Sequence, residues 1–123
     1  MARPVFVRFE TPQEIADKAL QLVQVARETG KVRVGTNEVT KSSERSEAKM
    51  VVMAEDVDPA EILVHIPMLC EEKHIPYLYV QKKQRLGQVA GLSKSAASVA
   101  VVEPGEGKAL LEELSQSFGS LKK

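Results

Sequence analysis

The stretch Gly35-Thr36-Asn37-Glu38-Val39-Thr40-Lys41 gathers an amide, a carboxylate and an ammonium at one point of the chain. It follows a short apolar run, Val32-Arg33-Val34, and opens a segment that can be helical, so it reads as a strand running into a helix N-terminus. Such an end exposes unpaired backbone N–H groups and a partial positive charge, which suits phosphate. Lys41 lies one turn after Asn37 and three residues after Glu38, so all three side chains can surround the same helix end. An amide donates and accepts, a carboxylate accepts from amino and imino groups, and an ammonium donates to carbonyl oxygens or phosphate. Together they fit the edges of exposed nucleobases, guanine above all. The same residues also fit a plain helix start, with Thr36 or Asn37 as cap, Glu38 complementing the dipole and Lys41 in solvent. Taken alone, they leave both readings open.

The elements around this stretch must hold it in place. Thr11-Pro12-Gln13-Glu14 carries the marks of a helix start, and apolar residues recur from Ile15 through Ala19, Leu22, Val23 and Ala26 up to Gly30. A strand at Val32–Val34 and a polar helix from about Thr36 to Ser46 follow. Met50-Val51-Val52-Met53-Ala54 is a continuous apolar run, as expected of a central strand covered on both faces. Asp58-Pro59-Ala60-Glu61 predicts another helix start, with a break at Pro67 and a second piece through Glu72. Tyr77–Val80 predicts a strand whose two tyrosines share one face. A short basic helix from Lys82 to Ala90, a strand at Ser98–Val102 and a last helix from Lys108 to Phe118 complete the order. This alternation predicts an α/β fold, a three-layer α/β/α sandwich with a mixed sheet of about four strands, forming one domain over 1–123 with 1–10 irregular.

A chain of 123 residues fits one domain. The formal net charge is zero, yet the charges segregate. Lys82, Lys83, Arg85 and Lys94 stand in a segment free of acids, while Glu55, Asp56, Asp58 and Glu61 stand in one free of bases, so a local basic surface is available without a high pI. The single cysteine, Cys70, points to a reducing compartment and a cytoplasmic location. The N-terminus lacks the pattern of a secretory signal, and no apolar run approaches a membrane span.

Other chemistry finds little support. There is neither a Gly-x-Gly-x-x-Gly after a strand nor a Gly-Lys-Ser/Thr phosphate loop. His65, Cys70 and His74 lack a fourth metal ligand at a recognisable spacing, so neither metal nor cofactor is expected. No nucleophile and base share a motif, so no enzymatic activity is expected. The loop Gly91-Leu92-Ser93-Lys94-Ser95-Ala96-Ala97 is led by glycine and built of small residues. It serves as a generic connection, or lets backbone approach a nucleic acid with Leu92 over an unstacked base and Lys94 on phosphate.

These segments together resemble the kink-turn-binding ribosomal protein family, archaeal and eukaryotic. The resemblance is carried by Gly35–Lys41, by Met53-Ala54-Glu55-Asp56-Val57-Asp58-Pro59-Ala60-Glu61-Ile62-Leu63, and by His65-Ile66-Pro67-Met68-Leu69-Cys70-Glu71-Glu72-Lys73. Ile75-Pro76-Tyr77, Leu86-Gly87 and the loop from Gly91 into Ser98-Val99-Ala100 extend it. It implies that Asn37, Glu38 and Lys41 read the guanines of tandem sheared G·A pairs in sharply bent RNA, with Gly35 and Thr36 at the helix end. Ile62 and Leu92 would lie near the extruded nucleotide, with Asp58 and Lys83 close by and Lys94, Ser95 and Ala96 along the backbone. Leu92-Ser93-Lys94-Ser95 departs from the Ile-Glu-Val-Pro of many archaeal relatives and is nearer the Ser-Arg of eukaryotic particle proteins.

The implied partners are kink-turn RNAs: 23S rRNA, box C/D and H/ACA guide RNAs and RNase P RNA, together with guide-particle scaffold and modification proteins. The free protein would be a monomer. A small α/β protein–protein adaptor is the competing class, and it has no need of Asn37, Glu38 and Lys41. Glu38 is diagnostic, because phosphates repel a carboxylate that does not accept hydrogen bonds from base edges.

Overall fold

The computed structural model describes residues 11–57 and 63–121. The expected helix start at Asp58-Pro59-Ala60-Glu61, the site candidates Asp58 and Ile62, and residues 1–10 lie outside the described residues. In chain order the elements are α1 (Gln13–Thr29), β1 (Lys31–Val34), α2 (Thr36–Glu44), β2 (Met50–Ala54) and α3 (His65–Glu72). Then come β3 (Tyr77–Val80), α4 (Lys83–Val89), β4 (Ser98–Glu103) and α5 (Lys108–Leu121), the last entered through a 3₁₀ turn at Gly105–Gly107.

The four strands form one mixed sheet in the order β1-β4-β2-β3. β4 runs antiparallel to both β1 and β2, whereas β2 and β3 are parallel. Every residue of β2 is buried, so side chains pointing to either face of the sheet meet cover. That cover is supplied by α1 packed with α4 and α5, and by α2 packed with α3, giving three layers. Each fully buried Val or Leu of this core contributes roughly 1.5–3 kcal/mol relative to exposure. Lys18 of α1 pairs with Glu113 of α5 across the outer helices.

The local signals work out differently in two places. α1 starts at Gln13 as the helix-start marks predict, but no side chain caps it, Thr11 included. The Thr11 hydroxyl instead accepts the backbone N–H of Tyr79 at 3.3 Å, tying the start of α1 to β3. Pro67 does not break a helix, because α3 begins at His65 and places the proline in its first turn, where a missing N–H forfeits no helical bond. Tyr77 and Tyr79 are both fully buried, with rings edge to face at 6.0 Å. The Tyr77 hydroxyl donates to Glu71 at 2.8 Å, and its ring meets Phe118 of α5 at 4.9 Å.

Candidate functional site

The strand register puts four connections at one rim of the sheet. Val34, the last residue of β1, faces Val99 at the start of β4. Ser98 faces Met53, and Ala54, the last residue of β2, faces Val80, the last of β3. The turn into α2, the segment after β2, the entry to α4 and the loop into β4 therefore share that rim. Backbone hydrogen bonds stitch them together. Gly35 N–H donates to Ser98 carbonyl at 3.0 Å, Ala54 N–H to Ala97 at 2.9 Å, and Ala96 N–H to Lys83 at 3.0 Å. Residues some sixty positions apart thus stand as neighbours on one framework.

Gly35 makes the turn from β1 into α2 in a single residue. Its φ of 98° lies in the left-handed region that glycine enters at little cost. A Cβ at this position would meet nothing within 4 Å, so the space beside it is open. No side chain caps α2, and the plain cap expected of Thr36 or Asn37 is not formed. The Thr36 carbonyl accepts from the Thr40 hydroxyl at 2.8 Å, and that hydroxyl also lies 2.9 Å from His65 Nε2, joining α2 to α3. Asn37, Glu38 and Lys41 are all exposed around this end. The Lys41 ammonium sits 3.7 Å from the Glu38 carboxylate. An exposed ion pair of this kind contributes under about 1 kcal/mol, so an incoming partner can separate it at little cost.

The second half of the rim is basic. Asp56 accepts the N–H of Lys83 at 2.7 Å and so caps α4 from across the rim. This gives the acidic segment a structural task that its spacing of 27 residues from α4 kept out of view in the sequence. Lys83 and Lys94 line one depression of about 320 Å³ with Gln84, Gln88, Ser93 and Ser95. The loop carrying Lys94 is fixed at its base, because Leu92 N–H donates to Gly87 carbonyl at 2.9 Å and Ala96 is buried. Leu92 is half-buried, while Lys94 and Ser95 are exposed. Ala96 is thus placed to support the loop through its backbone, with its methyl facing inward.

The rim therefore gathers Gly35, Thr36, Asn37, Glu38, Lys41, Lys83, Leu92, Lys94 and Ser95 in one neighbourhood. It offers uncapped amides, an exposed carboxylate, cations and a half-covered apolar side chain. Cys70, by contrast, is buried under α2, and burial pushes its thiol up to about 12, against the opposing effect of the Ser43 hydroxyl. Among the described residues, no three His, Cys, Asp or Glu side chains are placed to hold a metal ion, and no helix is long and apolar enough to cross a membrane.

Residues 17–111 match the sequence model of the ribosomal protein L7Ae/L30e/S12e/Gadd45 family. Among solved structures, the chain is similar to the 15.5kD RNA binding protein of Giardia lamblia. The two share 27% sequence identity and superpose with a TM-score of 0.89, over 98% of this chain and 99% of that one.

Proposed function

Because the chain belongs to the ribosomal protein L7Ae/L30e/S12e/Gadd45 family, we propose that it is a non-enzymatic RNA-binding protein that recognises and stabilises kink-turn RNA. Its targets are tandem sheared G·A pairs beside a bulge, in the large ribosomal subunit and in guide RNA particles of the cytoplasm. There it nucleates assembly by presenting bent RNA to partner proteins. The observation that carries this reading is the uncapped N-terminus of α2, ringed by exposed Asn37, Glu38 and Lys41 with open space beside Gly35. Regular A-form RNA hides its base edges in a deep, narrow groove, so a side-chain set aimed at guanine edges needs distorted RNA. Glu38 accepts from guanine N1–H and N2–H₂, Asn37 and Lys41 meet neighbouring base edges and phosphate, and Lys83 and Lys94 hold backbone on the basic side. The name of the Giardia lamblia protein supports the same class of partner.

Readable edges exist only in the kinked state, so the protein acts by population shift. Moving an RNA from 1:99 to 99:1 bent takes about 5.5 kcal/mol of differential binding. The test places donor and acceptor dyes on the two arms of such an RNA in magnesium-free buffer. Addition of protein is expected to raise energy transfer strongly at nanomolar concentration, and to leave a fully paired control RNA unchanged. Tight binding without a change in arm separation would overturn the capture of bent RNA. An adaptor without RNA readout would bind neither RNA.

A further inference from the structure

On the far side of α2 lies a depression of about 410 Å³ lined by Lys31, Arg33, Arg45, Glu47, Lys49 and Glu103 together with Val102. Its cations come from separate parts of the chain: two from β1, one from the C-cap of α2 and one from the residue before β2. Four cations face two carboxylates, and among the described residues none of the four forms an ion pair. Lys31 stands opposite Glu103 in the β1–β4 register without closing a salt bridge. Simple structural roles cover part of this. A lysine on an edge strand deters unwanted pairing, and a cation at a helix C-terminus favours the dipole, which accounts for Lys31 and Arg45 taken singly. Neither role accounts for half-buried Arg33 and exposed Lys49 converging on the same hollow. Like charges held together cost free energy unless an anion joins them.

We propose that this depression is a second RNA-backbone contact, binding phosphates of a segment outside the one seated at the N-terminus of α2. The proposal rests on the RNA-binding reading above. Two features favour a phosphodiester chain over a single anion. The cations line an open hollow, and the depression sits one length of α2, roughly 13 Å, from the rim, within reach of an RNA already held there. The protein thus grips RNA at both ends of α2, by base edges at one and by charge alone at the other. The segment is an arm of the same kinked RNA, since that is the strand within reach of the rim.

The experiment compares the intact protein with an Arg33→Gln/Lys49→Gln double variant on three RNAs: a kinked loop with minimal arms, the same loop with long arms, and a plain duplex. Minimal-loop affinity should be equal for both proteins, which also reports that the variant is folded. On the long-armed RNA, the variant's salt slope should fall by roughly 0.7–0.9 per lost phosphate contact. Intact protein that holds the plain duplex and the minimal loop together, where the variant does not, would overturn the assignment to an arm of the same RNA. Glu47→Gln should tighten whichever contact is found. Identical affinities and salt slopes for variant and parent on all three RNAs would overturn the proposal. So would polyglutamate displacing the RNA as well as a duplex of equal charge does, which would assign the surface to acidic proteins. A parent that fails to bind the minimal kinked loop would instead overturn the function proposed above.

Discussion

Gly87→Ala tests how the basic loop is held. Gly87 is buried within α4, and a Cβ there would lie 3.0 Å from the carbonyl carbons of Lys94 and Ser95 and closer still to the Lys94 oxygen. These are backbone atoms, so they cannot swing aside as a side-chain tip would. The loop must move outward or α4 must shift. Overpacking of this kind costs about 1–3 kcal/mol. The better helix propensity of alanine returns up to about 1 kcal/mol, so a net loss of roughly 1–2 kcal/mol is expected. For a chain of this size that lowers Tm by roughly 3–8 °C. Displacement of Leu92 and Lys94 should also weaken RNA binding about tenfold, the equivalent of one contact of about 1.4 kcal/mol, with Asn37, Glu38 and Lys41 untouched. Gly119→Ala is the matched control. It lies in α5 with nothing within 4 Å of a Cβ, so it should raise stability by up to about 1 kcal/mol and leave RNA binding alone. Thermal unfolding and RNA titration of the two variants decide the matter. Equal stability of the two, with parental RNA affinity in Gly87→Ala, would refute the idea that this glycine seats the loop.

Glu38→Ala should lose about 1–3 kcal/mol of affinity for RNA with tandem G·A pairs, measured by titration, and equal affinity would remove Glu38 from base reading. Lys83→Ala and Lys94→Ala should weaken binding to all RNAs alike and lower the salt slope by roughly one or less each, whereas altered base preference at constant slope would contradict a phosphate role. The Cys70 thiol, pushed up to about 12 from the ordinary 9.0 by burial, keeps its proton in the folded chain while the unfolded chain loses it above pH 9. Folding stability is therefore unaffected by this group below pH 9 and falls as pH rises from 9 towards 12, by at most about 1.4 kcal/mol per unit. Urea unfolding at pH 8 and pH 10 should show a smaller drop in Cys70→Ala than in the parent.

The sequence announced what is local and concealed what is not. β2 and β3 were legible to the residue because continuous apolar runs mark strands covered on both faces. The clustering of the candidate residues at α2 was legible because Gly35, Asn37, Glu38 and Lys41 lie within two helical turns. The order of strands had no local signal, since β4 enters between β1 and β2 by long-range pairing. Thr11 misled for the same reason: it has the chemistry of a cap, but the distant amide of Tyr79 claimed its hydroxyl. The basic hollow was unreadable because Arg33 and Lys49 stand sixteen positions apart (49 − 33) with a strand end and a helix between them.

The loop from Gly91 to Ala97 is anchored by main-chain groups: Leu92 to Gly87, Ala96 to Lys83 and Ala97 to Ala54. Its shape is therefore nearly independent of which side chains it carries at Ser93, Lys94 and Ser95. Under the proposed function, such a loop is an interchangeable part, free to vary in sequence and so to change RNA preference without renegotiating the fold. The constraint is displaced onto Gly87, a residue that no ligand need touch, and selection for a new specificity would leave that glycine standing while the three positions opposite it turn over.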